Sequence, residues 1–304
     1  MRKIDFHVHI NSQIPIEESV RYFKDMMDRF GYEGIGIMSL LNSSHGVGDY
    51  GCNERAVKIK EALPGSYAFA YLDHRRDLVE QTKEYMKQGF DGIKIIEGKP
   101  NQYKINGFGL DTESFDRFFA YAESAGIPIM LHNNDPAQNW DITKADARAN
   151  EKGWVYDETF PSQHWFFEAL ETVLEKHPDL KVALAHMGFY SDNLEKAAYL
   201  LDRCPNLRLD ITPALIIYSQ LSKQPDAGDF FRKYSSRLIY GTDADNNLTG
   251  FARDYNDKKV RVITAFLEGD SPCAVDGMDL NPIHLERSIL EKIYALNALE
   301  FMKK

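Results

Sequence analysis

Hydrophobic positions along this chain fall into two rhythms that alternate from one end to the other. Short runs with a period of two, or with unbroken apolar character, lie at 4–10, 34–40, 67–72, 91–96, 127–132, 180–186, 207–212 and 237–242, and predict eight strands. Between them, 16–30, 53–63, 78–88, 112–124, 165–176, 194–203, 229–234 and 260–267 carry apolar residues at helical spacing, and a last helix is predicted over 285–302. Gly31, Gly89 and Gly126 stop three of these helices as C-terminal glycines do, and Pro64-Gly65 stops another. Strands alternating with helices make βαβ units and a parallel sheet. Eight such units in 304 residues fit a closed α/β structure, a (β/α)8 TIM barrel, better than an open sheet. The open sheet lacks support because no glycine-rich phosphate loop follows an early strand. No linker or shift of composition divides the chain, so 1–304 reads as a single domain. The stretch 133–163 follows neither rhythm, and loops of that length in a compact domain serve as lids or binding elements.

Composition narrows the function classes. A net charge of −10 and a pI near 5.4 leave no basic face for nucleic acid. No apolar run approaches a membrane span, and the first residues leave no room for the apolar core of a signal peptide. A cytoplasmic protein with a small-molecule substrate is the expectation. Cys52, Cys204 and Cys273 are too scattered for a disulfide framework or a thiolate metal site.

The chemistry gathers at strand ends. In Ile4-Asp5-Phe6-His7-Val8-His9-Ile10 the two histidines share one parity, so on a strand both imidazoles project the same way. Neutral imidazoles so placed can hold a divalent ion, or they can be the solvated front of an edge strand. Barrels converge their reactive groups at the C-terminal ends of the strands. There the sequence sets His132 (strand five), His186 (strand six) and Asp243 (strand eight), with Lys94 inside strand four. Each has a plain alternative: His132 as a strand cap, His186 as a core histidine, Asp243 as the start of a turn. Together they would face one cavity, which favours a site. Lys94 is open between pairing with a carboxylate or substrate and bridging two metals as a carbamate. Arg75 offers a bidentate clamp for a carboxylate, or lies on the surface. Trp140, Trp154 and His164, with His45 from the loop after strand two, are candidate walls or packing residues, and Asn133 opens the Asn133-Asn134-Asp135-Pro136 segment.

In order and spacing, Asp5-Phe6-His7-Val8-His9, Gly92-Ile93-Lys94-Ile95, Pro128-Ile129-Met130-Leu131-His132, Val182-Ala183-Leu184-Ala185-His186-Met187-Gly188 and Leu238-Ile239-Tyr240-Gly241-Thr242-Asp243 resemble the successive motifs of the amidohydrolase superfamily. The nearest resemblance is to its aminocarboxymuconate-semialdehyde decarboxylase-like branch, whose closing helix is similar to Ile293-Tyr294-Ala295-Leu296-Asn297-Ala298-Leu299-Glu300-Phe301. The resemblance implies one divalent ion, zinc first with Mn2+ or Fe2+ as substitutes, on His7, His9, His132 and Asp243. Such an ion keeps an open position and lowers the pKa of a water there to about 7. Asp243 would then act as base, and His186 would polarise the substrate or carry a proton. Substrate contacts are expected from Lys94, Arg75, His164, Asn133 and Trp140. The implied activity is hydrolysis of an amide, ester or lactone. The second reading is non-oxidative decarboxylation of an unsaturated or aromatic acid, and the third a binding protein on a dead barrel. The intact set of histidines and aspartate speaks against the third. A homodimer is the oligomeric expectation from the resemblance.

Overall fold

The computed structural model describes residues 1–40, 53–213 and 215–303, so His45 and Cys52 lie outside the described residues. Its strands are β1 (Ile4–His9), β2 (Gly34–Met38), β3 (Tyr67–Tyr71), β4 (Gly92–Gly98), β5 (Ile129–Asn133), β6 (Val182–Leu184), β7 (Leu207–Asp210), β8 (Leu238–Ile239) and β9 (Ala244–Asp245). All pair in parallel in the order β8-β7-β6-β5-β4-β3-β2-β1-β9. The two outermost strands are pieces of one path, so the sheet closes on itself. Across the junction the Phe6 amide donates to the Tyr240 carbonyl (3.0 Å) and the Asp243 amide to the His7 carbonyl (2.8 Å). This is the expected eight-stranded barrel, with the last strand interrupted where it reaches the site.

Every residue of β1 is buried, as suits a strand with side chains on one face and helices on the other. Strict alternation puts Ile4, Phe6, Val8 and Ile10 on one face; the structure does not. The pairing of β1 with β2 shifts register between Asp5 and Val8. Ile4 and Phe6 therefore pack in the barrel's floor with Met38, Phe69, Met130, Ala183 and Ile239, residues of five other strands that can meet only inside. Val8 and Ile10 join the large outer cluster with Tyr22 and Phe23 of the first helix. A bulge of this kind re-aims side chains beside an active site, and here it turns His7 and His9 inward above the apolar floor. Ala295, Ala298 and Phe301 of the C-terminal helical segment close that floor, with Phe301 edge-on to Phe6 at 6.0 Å.

Most predicted helices are present within a residue or two. Two differences bear on the site. The helix expected over 260–267 runs Gly250–Glu268, capped by the Thr249 hydroxyl on the Ala252 amide. Its first half is polar because Asn256 and Lys259 point inward to the end of strand eight, so it escapes an apolar periodicity. The irregular 133–163 segment contains a short turn at Ala137–Trp140 and a helix at Ala147–Lys152. A further helix, Pro100–Asn106, follows β4 directly. Near the C-terminus, the expected loop holds a hairpin, Cys273–Val275 with Met278–Leu280, turning on Asp276-Gly277, both at positive φ as an Asp-Gly hairpin turn requires. Among the described residues no helix is long and apolar enough to cross a membrane.

Candidate active site

His7, His9 and Asp243 converge at the C-terminal end of the barrel, their ligand atoms all within 4.8 Å of one another. The strand-one bulge aims the histidines, and a left-handed turn aims the aspartate. Asp243 has φ of 54°, a conformation that costs a non-glycine residue energy and persists where surrounding contacts impose it. Its amide is held by the His7 carbonyl, and its own carbonyl accepts from Lys259 Nζ at 2.5 Å. The carboxylate Oδ1 lies 3.2 Å from His9 Nε2 and 3.8 Å from His7 Nε2.

Hydrogen bonding on the far side of each ring decides which nitrogen faces the others. His7 Nδ1 lies 2.5 Å from Asp210 Oδ2, and His9 Nδ1 lies 3.3 Å from the Met38 carbonyl, which can only accept. The two Nε2 atoms, 3.2 Å apart, therefore present lone pairs to each other and to Asp243. Three acceptors facing one point suit a cation, and a carboxylate behind a ligating histidine is a common support of such sites. The residues fit a divalent ion. Burial, then Lys94 and His9, hold His7 well below the ordinary histidine range, in the neutral form that ligates. Burial pushes the Asp243 carboxyl up, but Lys259, His9 and His186 overcome it and hold it well below the usual carboxylate range.

Lys94 is fully buried with Nζ 3.4 Å from His7 Nε2. Burial pushes it down to about 8 against the pull of Asp210, Asp243 and Glu97. Among the described residues there is one cluster able to hold an ion, and none beside Lys94 to complete a second.

His186 stands in an unusual backbone stretch, with His186, Met187, Gly188 and Phe189 all at φ between 53° and 60°. The turn puts its ring 5.0 Å from that of His132 and 5.7 Å from that of His7. Burial pushes it down to about 3, Asp243 opposing, with His132 and Lys94 adding to the effect. His132 lines the same cavity, but its Nε2 is 3.0 Å from the Asn134 carbonyl and 3.6 Å from Asp135 Oδ1, and it is not one of the three converging ligands. Burial pushes it down to about 4.

These groups sit in a cavity of about 450 Å3 whose wall includes Leu40, Ile96, Phe189, Leu215 and Ile216, with Lys99, Asp135 and Trp154 at one side. Four residues expected at the substrate do not line it. Arg75 is 85% exposed and clamps Asp73, both contacts at 2.8 Å. His164 is 77% exposed and pairs with Glu168 at 3.2 Å, on the first turn of its helix. Trp140 donates to the Pro161 carbonyl (3.2 Å) and packs on Tyr156, so it braces the loop. Asn133 is fully buried behind the wall, donating to the Phe166 carbonyl at 3.2 Å. Trp154 does reach the cavity, its ring 4.2 Å from Lys99 Nζ.

Sequence reasoning passed over Asp210, Thr212, Lys259 and the Lys99–Asp135 pair. Asp210 was within reach, because it ends strand seven as His132 ends strand five. Lys259 gave no signal, being a lysine on a polar helix turn.

The closed barrel and its convergent two-histidine, one-carboxylate cluster, able to hold a metal ion, define the class of α/β-barrel protein. Residues 4–303 match the family model described as amidohydrolase, and the chain belongs to that family. No match is found among curated protein sequences. Solved structures share the fold. A probable 2-pyrone-4,6-dicarboxylic acid hydrolase from Acinetobacter baumannii, with citric acid bound, is 13% identical, with a TM-score of 0.61 and 99% of each chain covered. A dihydroxybenzoic acid decarboxylase from Polaromonas sp. JS666, with bound manganese and the inhibitor 2-nitroresorcinol, is 14% identical at a TM-score of 0.59, covering 99% of this chain and 96% of that one. A 5-carboxyvanillate decarboxylase from Sphingomonas paucimobilis is 12% identical at 0.56, covering 92% and 81%.

Proposed function

We propose that this protein is a metal-dependent hydrolase that cleaves an amide, ester or lactone bond of a small molecule held in the 450 Å3 cavity. The observation that supports it most is the convergence of two imidazole lone pairs and the Asp243 carboxylate on one point of the cavity wall. A divalent ion held there, zinc first and manganese next, would supply Lewis acidity and a water activated near neutral pH. The protein's own part is then positional. Asp243, kept ionised by Lys259, accepts a proton beside His9. The apolar wall limits competing water, and Lys94 adds positive charge next to His7.

The test is metal analysis of the purified protein after reconstitution, followed by a screen of amides, esters and lactones in 18O-labelled water. One equivalent of metal and label in the product support the reading. Less than about half an equivalent counts against any catalytic role of this kind.

Decarboxylation is the second reading, favoured by the wall of Leu40, Ile96, Phe189, Leu215 and Ile216 beside the metal position. Stripping water from a carboxylate there would raise its energy towards loss of carbon dioxide. Two of the three similar structures described above carry decarboxylase names. Carbon dioxide release with no 18O in the organic product selects this reading over the first.

A further inference from the structure

One buried carboxylate touches one histidine directly and the support of a second. Asp210, at the end of β7, lies with Oδ2 2.5 Å from His7 Nδ1 and 3.1 Å from the Thr212 hydroxyl, and Oδ1 accepts from the Thr212 amide at 2.9 Å. A contact of 2.5 Å between Oδ2 and His7 Nδ1 has room for a single hydrogen, and with that hydrogen committed to the His7 bond the carboxylate acts as acceptor towards Thr212. The Thr212 hydroxyl must therefore donate to the carboxylate. A hydroxyl has one hydrogen and two lone pairs. With its hydrogen committed, the Thr212 oxygen can only accept, and two groups of His186 face it: the main-chain amide at 3.2 Å and ring Nδ1 at 2.9 Å. The Thr212 carbonyl, also an acceptor, lies 3.5 Å from the same Nδ1. Nδ1 of His186 thus carries the hydrogen, and Nε2 of the neutral ring carries the lone pair. Among the described residues none bonds that Nε2, and His186 lines the cavity.

We infer that Thr212, itself oriented by Asp210, is a positioning residue that presents His186 to the cavity as a hydrogen-bond acceptor, so that Asp210 orients both His7 and His186. The group of a substrate that meets His186 is then a donor: a hydroxyl, an amide N–H or a protonated amine. Of the two roles expected of His186, polarising the substrate or carrying a proton, a neutral ring with its lone pair towards the cavity suits the second. What the lone pair does for a substrate rests on the catalytic reading above; the tautomer itself does not.

The test is long-range 1H–15N NMR of the imidazole side chains in zinc-loaded and metal-free protein, with His186 assigned by the signals lost in His186→Gln. The expected spectrum has a pyrrole-like Nδ1 and a pyridine-like Nε2 for His186. Thr212→Ser should keep it. Thr212→Val, which removes the hydroxyl at nearly constant volume, should give a mixture of tautomers and, once a substrate is known, a kcat lower by about 10-fold with KM little changed. A protonated Nε2 in the unmodified protein overturns the inference, as does an unchanged spectrum in the Val variant. If the Val variant does not fold, the parent and Ser spectra decide. The measurement needs no turnover, so an inactive protein with the expected spectrum would count against the enzyme reading and not against this one.

Discussion

Lys259 Nζ donates at 2.5 Å to the main-chain carbonyl of Asp243, 16 residues earlier, from a side chain almost completely buried. The contact braces a left-handed residue and sets a positive charge 3.9 Å from its carboxylate. A carboxylate that would hold an ion from a strained conformation depends on such bracing. Lys259→Met should therefore weaken metal binding by about 10- to 100-fold. Competition with a chromophoric chelator measures it, and an affinity equal to the parent's would refute the bracing role.

Asp210 makes a separate prediction through His7. Asp210→Asn keeps the shape but turns an acceptor-only group into one that can present an N–H to His7 Nδ1, inviting the wrong tautomer. Metal affinity should again fall by about 10- to 100-fold, while the melting temperature changes less than it does for Asp210→Ala. Calorimetric titration with zinc, set beside thermal unfolding of both variants, reads the two effects apart.

For Asp243→Asn, metal is expected to remain partly bound while turnover is lost, because the amide can still ligate but accepts no proton. Full activity in this variant would remove Asp243 from the base role.

The buried pair Lys99–Asp135, with both contacts at 2.5 Å, ties the segment after β5 to the helix after β4, and Tyr156 also donates to Asp135. Burial pushes the Asp135 carboxyl up, but Lys99 and His132 outweigh it and bring it down to about 2. A carboxyl whose folded value lies below its unfolded value of about 3.9 stabilises the fold above that pH and loses this contribution as pH falls towards 2. Lys99→Met should cost about 3–5 kcal/mol at neutral pH, since it strands a buried charge. It should also flatten the loss of stability between about pH 4 and 2. Urea unfolding across that window checks both, and an unaltered acid limb would show that the pair does not control it.

Gly241 supplies a packing test. A Cβ there would stand 2.8 Å from Thr212 Cγ2 and 2.9 Å from His7 Cβ. Gly241→Ala should lower the melting temperature and weaken metal binding together, because the barrel closes against His7 at this point. Loss of stability with intact metal affinity would mean that the site relaxes independently of the seam.

The order of the barrel strands and helices was legible because the barrel strands are buried on both faces and the helices on one, so apolar spacing records them directly. His7, His9 and Asp243 were legible because barrels gather reactive groups at strand ends, and strand ends can be read from pattern. Arg75 and His164 sit near strand or helix ends too, yet their side chains turn outward to Asp73 and Glu168. Nothing in a linear pattern separates a loop arginine that enters a cavity from one that pairs with its neighbour. The β1 bulge escaped for the opposite reason: with every residue of the strand buried, a change of face leaves no trace in hydrophobicity.

The sequence alone determined the barrel and placed His7, His9 and Asp243 at its strand ends, since both follow from local periodicity and from where strands stop. The tertiary structure decided how those corners are supported. Asp210 behind His7, Thr212 behind His186 and Lys259 behind Asp243 are hydrogen bonds between elements 16 to 203 residues apart. Their partners are chosen by distances of a few ångströms across a closed barrel, which no spacing along the chain encodes.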